Sequence, residues 1–132
     1  MNRPSLDQLV TFIFPEDLTT SINFYEAILG LELVQDQGDC RIYRVSGDAF
    51  LGVCRCRPGR SSRTRSVVIT FVTAEVDEWH EYLKGKGVAI LAPPAETPSH
   101  RIYNFYAHDP QGHVLEFQRF LDPTWPSPVT RS

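Results

Sequence analysis

The order of local signals runs through this chain twice, and that repetition constrains the fold more than any single motif. Leu9 to Phe14 (LVTFIF) is a β-branched and aromatic run that predicts a buried strand, and Pro15 ends it. Asp17 stands at an N-cap position ahead of Leu18, Ile22, Tyr25 and Leu29, which recur at helical spacing until Gly30. Leu31 to Gln35, Arg41 to Val45 and Phe50 to Cys54 predict three strands, the last two a hairpin around Gly47-Asp48. Beyond a polar, basic stretch (RPGRSSRTRS, 57–66) the order returns. Val67 to Val72 predicts a strand, and Val76, Trp79 and Leu83 a helix. Val88 to Leu91 predicts a strand, and Ile102 to Ala107 with His113 to Phe120 a second hairpin around Asp109-Pro110-Gln111-Gly112.

Two copies of strand, helix and three strands, offset by about 58–64 residues, give an α+β fold of two βαβββ modules. The helix of each module covers one face of its strands. The other faces have no helix over them, so a curved mixed sheet with a concave, partly apolar cleft is expected, a usual kind of small-molecule site. The predicted layout is one domain over 1–132: module 1 about 6–57, a linker at 58–66, module 2 about 67–121 and a Pro-rich tail at 122–132. Trp125 in that tail is expected to dock on a surface or on a partner chain.

Charge narrows the partners. Residues 1–57 carry five Arg and Lys against eight Asp and Glu, and residues 67–132 carry the same numbers. Only the short strip between them is basic, with three Arg and no acid over 58–66. Two acidic halves make nucleic acid a poor partner. No apolar run is long enough for a membrane span, and the first residues lack a basic head and apolar core, so no membrane partner and a cytoplasmic location are expected. Three cysteines, Cys40, Cys54 and Cys56, are an odd number, and the expectation is buried, reduced thiols.

Two segments carry a resemblance. Asp17-Leu18 followed by Phe24-Tyr25-Glu26-Ala27-Ile28-Leu29-Gly30-Leu31-Glu32-Leu33 is similar to the first-helix signature of the vicinal oxygen chelate superfamily, which includes glyoxalase I, bleomycin-resistance proteins and extradiol dioxygenases. Asp109-Pro110-Gln111-Gly112-His113-Val114-Leu115-Glu116-Phe117 resembles its second-half signature. The resemblance covers about 6–121 and implies dimerisation, so a homodimer is expected. It also implies a divalent metal held by His, Gln or Glu at four strand positions. Carried over by spacing, those positions fall on Val10 or Leu9, on Gly52, on Val68 or Val67, and on Glu116. Only Glu116 is a donor. Gln8 lies one register shift from the first position. His80, His100, His108 and His113 read as exposed histidines rather than ligands. No metal and no cofactor are therefore expected.

The expected binding residues follow from alternation along the strands. Glu116 points away from Leu115 and Phe117 and into the cleft. A tight turn at Gly47-Asp48 puts Arg41 and Tyr43 on the cleft face with Phe50, Gly52 and Cys54. Tyr103 and Phe105 are expected beside Glu116 and Gln118, and Phe12 on the cleft floor with Val10. Arg41 and Glu116 either pair with each other or meet a ligand. Two function classes compete. In the first, a metal-free, aromatic-lined cleft binds a small planar or cationic organic molecule. In the second, the protein is a lyase, isomerase or dioxygenase of the same superfamily, with Glu116 as general base on an acidic C–H or with a metal. No GxSxG, Cys–His or phosphate-loop motif points to other chemistry. Small-molecule binding is the reading the missing donors favour.

Overall fold

A computed structural model describes residues 3, 4, 6–56 and 67–128. The predicted linker 58–66 and the last four residues of the tail lie outside them. The chain divides into two compact units, one carrying the first four strands and the other the remaining five.

In the first unit, β1 (Leu9–Ile13) is followed by α1 (Leu18–Ile22), a π-helical turn (Asn23–Ile28), β2 (Glu32–Asp36), β3 (Cys40–Ser46) and β4 (Ala49–Cys54). The sheet order is β1-β4-β3-β2, with β1 parallel to β4 and the rest antiparallel. Asp17 is the N-cap expected of it: its carboxylate accepts from the Thr20 amide (3.1 Å) and hydroxyl (2.6 Å). The hydrogen bonds hold the Asp17 carboxyl below its usual range. The helical run ends at Gly30, whose φ of 70° is the left-handed conformation that glycine enters without strain. The wide π turn was not readable from spacing, because its residues also fit an α-helical period.

The second unit repeats the plan. β5 (Val68–Val72) leads to α2 (Val76–Gly85), β6 (Ala89–Ile90), β7 (Ala95–Thr97), β8 (Ile102–His108) and β9 (Val114–Phe120). β5 runs parallel to β9, β9 antiparallel to β8, and both β6 and β7 pair with β8. The second strand of the repeat, the counterpart of β2, is thus split, with Pro93 and Pro94 in the break, where proline cannot donate to a ladder. β7 has no counterpart among the strands expected from the sequence.

Each sheet has a face covered by its own helix. Tyr25, Tyr43, Leu51 and Val53 are buried in the first unit, and Val76, Leu83, Leu115 and Phe117 in the second. Trp125 stacks on Phe120 of its own unit, ring centroids 3.7 Å apart. Cys40 and Cys54 are joined as a disulfide rather than held as separate thiols, because they sit opposite each other on paired strands. No helix among the described residues is long and apolar enough to cross a membrane.

Candidate functional site

Two hairpins decide which side chains face away from the helices, and each departs from its simplest register by one residue. In β3–β4 the two-residue turn at Gly47-Asp48 forms as expected, with Ser46 opposite Ala49. A bulge then intervenes, and Arg44 rather than Val45 stands opposite Phe50. Because side chains alternate with a period of two, one extra residue sends everything beyond it to the other face. Arg41 and Tyr43 consequently point under the helix. Arg41 Nη1 lies 2.8 Å from Glu26 Oε2, and the Tyr43 hydroxyl donates to the same oxygen at 3.0 Å. Burial, with the Glu26 hydrogen bond second, pushes the Tyr43 hydroxyl up to about 12. Neither residue stands on the open face that their sequence reading assigned.

In β8–β9 the loop has three residues, not four. Asp109 pairs with His113 through its N–H to the His113 carbonyl (3.0 Å), and Gly112 adopts a φ of 89°. This is the three-residue hairpin that needs a left-handed residue before the returning strand. The Asp109 carboxylate locks the loop by accepting from the Gln111 and His113 amides and by meeting His113 Nδ1 at 2.7 Å. His113 is therefore buried, not an exposed turn residue. The shortened loop sets Tyr106 opposite Glu116 and Asn104 opposite Gln118. Tyr103 and Phe105 move to the helix side. Tyr103 donates to Asp77 of α2 at 2.5 Å, and that bond raises its hydroxyl above the ordinary value. Phe105 stacks on Phe117 (5.1 Å) and meets His80 edge-on (5.3 Å).

Glu116 and Phe12 are the two expected site residues that lie on open faces. Glu116 is 8% exposed. Thr70 Oγ1 donates to Oε1 and Asn104 Nδ2 to Oε2, each at 2.9 Å. Asn104 is itself fixed by Thr97 Oγ1, 2.8 Å from its Oδ1. Among the described residues no cation reaches this carboxylate. Burial, then the Glu116 charge, hold the Tyr106 hydroxyl protonated beyond its ordinary range. Gln118, two residues on and buried, completes a polar strip flanked by exposed Val68 and Val72. Thr70, Asn104 and Tyr106 were missed in the sequence because only the true register brings them to Glu116.

On the open face of the first sheet the chemistry is apolar. Phe12, 45% exposed, lies against Gly52, where a Cβ would overlap its ring. Phe50 is covered by the Arg44 guanidinium, 4.9 Å from the ring centre, and Arg44 is held by Glu32 (3.1 Å). The cation on this face is thus Arg44 rather than Arg41.

The profile of the Glyoxalase/Bleomycin resistance protein/Dioxygenase superfamily matches residues 5–117. The chain belongs to this superfamily. Solved structures share its fold. A glyoxalase-related enzyme from Fulvimarina pelagi is 24% identical with a TM-score of 0.73, covering 96% of this chain and 100% of its own. Lactoylglutathione lyase from Agrobacterium tumefaciens is 21% identical with a TM-score of 0.73, covering 94% and 100%. TioX from Micromonospora sp. ML1 is 18% identical with a TM-score of 0.71, covering 87% and 99%. At these identities the likeness establishes the fold alone. No curated protein matches the chain.

The superfamily resemblance implies a divalent metal, and the residues present do not fit one. The position on β4 is Gly52, and Phe12 occupies the space beside it. The positions on β1 and β5 are valines or leucine. Gln8 is turned to Asp48 (3.2 Å). Glu116 is the one donor at the four positions, and among the described residues no three His, Cys, Asp or Glu come together.

Proposed function

We propose that this superfamily member binds a small organic cation on the open face of its second sheet, with Glu116 as the recognising group and no metal between them. The observation that carries this reading is the charge of Glu116. It is a nearly buried carboxylate that accepts from the neutral donors Thr70, Asn104 and Tyr106, and among the described residues it has no ion-pair partner. A buried charge without a counter-charge is costly, and a ligand N–H cation supplies one. A carboxylate offers about four acceptor sites, so capacity for a ligand N–H remains. The Tyr106 hydroxyl and Gln118 amide add a donor and a mixed donor–acceptor beside it, and Val68 and Val72 give apolar surface for a planar body. The reading includes a homodimer: β1 is an edge strand with exposed Leu9 and Val10, the kind of surface a second copy covers. Light scattering coupled to size exclusion measures that state.

The test of the ligand class is calorimetric titration with matched pairs of small aromatic amines and their neutral isosteres. The cationic member of each pair is expected to bind more tightly, and Glu116→Gln to weaken it by about 10-fold to 100-fold, the range of a charge-assisted hydrogen bond. Equal binding of both members, or unchanged affinity in Glu116→Gln, removes Glu116 from the reading.

A further inference from the structure

Outside the Glu116 face, one cluster of reactive groups has no part in the proposed function. Cys40 opens β3 and Cys54 closes β4, directly opposite each other, with Cα atoms 3.9 Å apart. A pocket of about 290 Å³ reaches the pair, lined also by Phe12, Phe14, Gln37, Asp39 and Arg55. We propose that Cys40 and Cys54 form a reversible redox modification site, oxidised and reduced by small thiols and disulfides that enter through this pocket.

Three features support it. First, the strands hold the sulfurs together whether or not they are bonded. The β3–β4 ladder runs up to the pair, and beyond it the Arg55 N–H donates to the Asp39 carbonyl (2.8 Å) and the Gln37 N–H to the Cys40 carbonyl (2.8 Å). Cleavage therefore leaves two thiols side by side, poised to re-form the bond without refolding. Second, the pair is reachable. Both cysteines line the pocket, Cys54 half-buried and Cys40 buried. Third, the pocket is partly polar, with Gln37, Asp39 and Arg55 in its wall, so a small polar thiol can enter it.

The exchange balances as follows. A thiolate attacks Cys54 Sγ, the Cys40–Cys54 bond breaks, and Cys40 leaves as a thiolate that takes a proton from water. A second reductant thiolate attacks the mixed disulfide, releasing Cys54 as a thiolate and the reductant as its own disulfide. Two reductant thiols are oxidised and one protein disulfide is reduced. Cys56, two residues further on and outside the disulfide, takes no part.

The experiment is native alkylation of the full chain followed by mass spectrometry, after equilibration in oxidised and then reduced dithiothreitol, with circular dichroism on each state. One alkylated cysteine is expected under oxidising conditions, three under reducing conditions, and one again on return, with the spectrum unchanged. Cys56→Ser is expected to give zero, two and zero. Three free thiols in oxidised dithiothreitol overturn the proposal. So does a single thiol that persists in excess reduced dithiothreitol without denaturant, loss of the folded spectrum on reduction, or a peptide map that links Cys56.

Discussion

The two units share one topology and place their polar groups on opposite faces. In the first, the face under the helix holds charge: Glu26 takes Arg41 and the Tyr43 hydroxyl among Leu51 and Val53. Its open face is aromatic, with Phe12 over Gly52 and Phe50 under Arg44. In the second, the face under the helix is aromatic. Phe117 stacks with Phe71 (5.1 Å), Phe105 (5.1 Å) and Trp79 (5.4 Å). Its open face is polar, built on Glu116, Thr70, Asn104 and Tyr106. The repeat tolerates either arrangement because each buried polar group finds partners where it is. The difference lies in the partners of the two carboxylates: Glu26 under its helix meets the Arg41 cation, whereas Glu116 on its open face is held by neutral donors, and the proposed ligand site rests on that contrast.

The largest test of that contrast is truncation of the two phenylalanines. Phe117→Ala removes the centre of the second unit's aromatic stack and is expected to cost about 3–5 kcal/mol in urea unfolding, as for a buried Phe in a packed core. Phe12→Ala, on a half-exposed ring, is expected to cost less than about 1.5 kcal/mol. Similar losses at the two positions would mean that the open face of the first sheet is as much core as the covered face of the second.

Much of this architecture was legible in the sequence. The apolar runs, Asp17, Gly30 and the DPQG turn mark element order, and in Leu115-Glu116-Phe117 the alternation alone orients Glu116. Four of the six expected site residues went to the wrong face for one physical reason. A bulge between Arg44 and Ser46 and a loop one residue shorter than drawn each shift the strand phase by one. Nothing in VSGDAF announces the bulge. Gly112 did carry a signal, since a glycine immediately before a returning strand suits a three-residue hairpin. The Cys40–Cys54 pairing needs a register that the bulge itself sets.

A smaller effect probes the Phe12–Gly52 contact. Gly52→Ala forces the Phe12 ring aside, because a Cβ overlaps it. The ring is half-exposed and can turn, so a loss of about 1–2 kcal/mol is expected rather than unfolding. In a Phe12→Ala background the same substitution is expected to cost nearly nothing. This double-mutant cycle isolates the contact. A cost that persists without the ring would show that Gly52 is required by backbone geometry, and the comparison of open faces would lose its clearest element.

The smallest effect concerns the charged cluster under the first helix. The Tyr43 hydroxyl, fully buried and donating to Glu26, ionises near 12 in the folded protein against about 10 in the unfolded chain. A raised folded value means that the native state holds the proton more tightly. Its contribution is therefore complete below about pH 10 and is lost as pH rises toward 12. Tyr43→Phe removes this titration and one hydrogen bond, at a cost of about 1 kcal/mol near neutral pH. Urea midpoints measured from pH 8 to 11.5 are expected to fall more steeply for the wild type than for Tyr43→Phe above pH 10. In the second unit Tyr103 donates to Asp77 from a more exposed position, and the shift is smaller. Tyr103→Phe should flatten the alkaline limb less than Tyr43→Phe. Equal slopes for the two variants would place both tyrosines in the same environment and erase the difference between the covered faces.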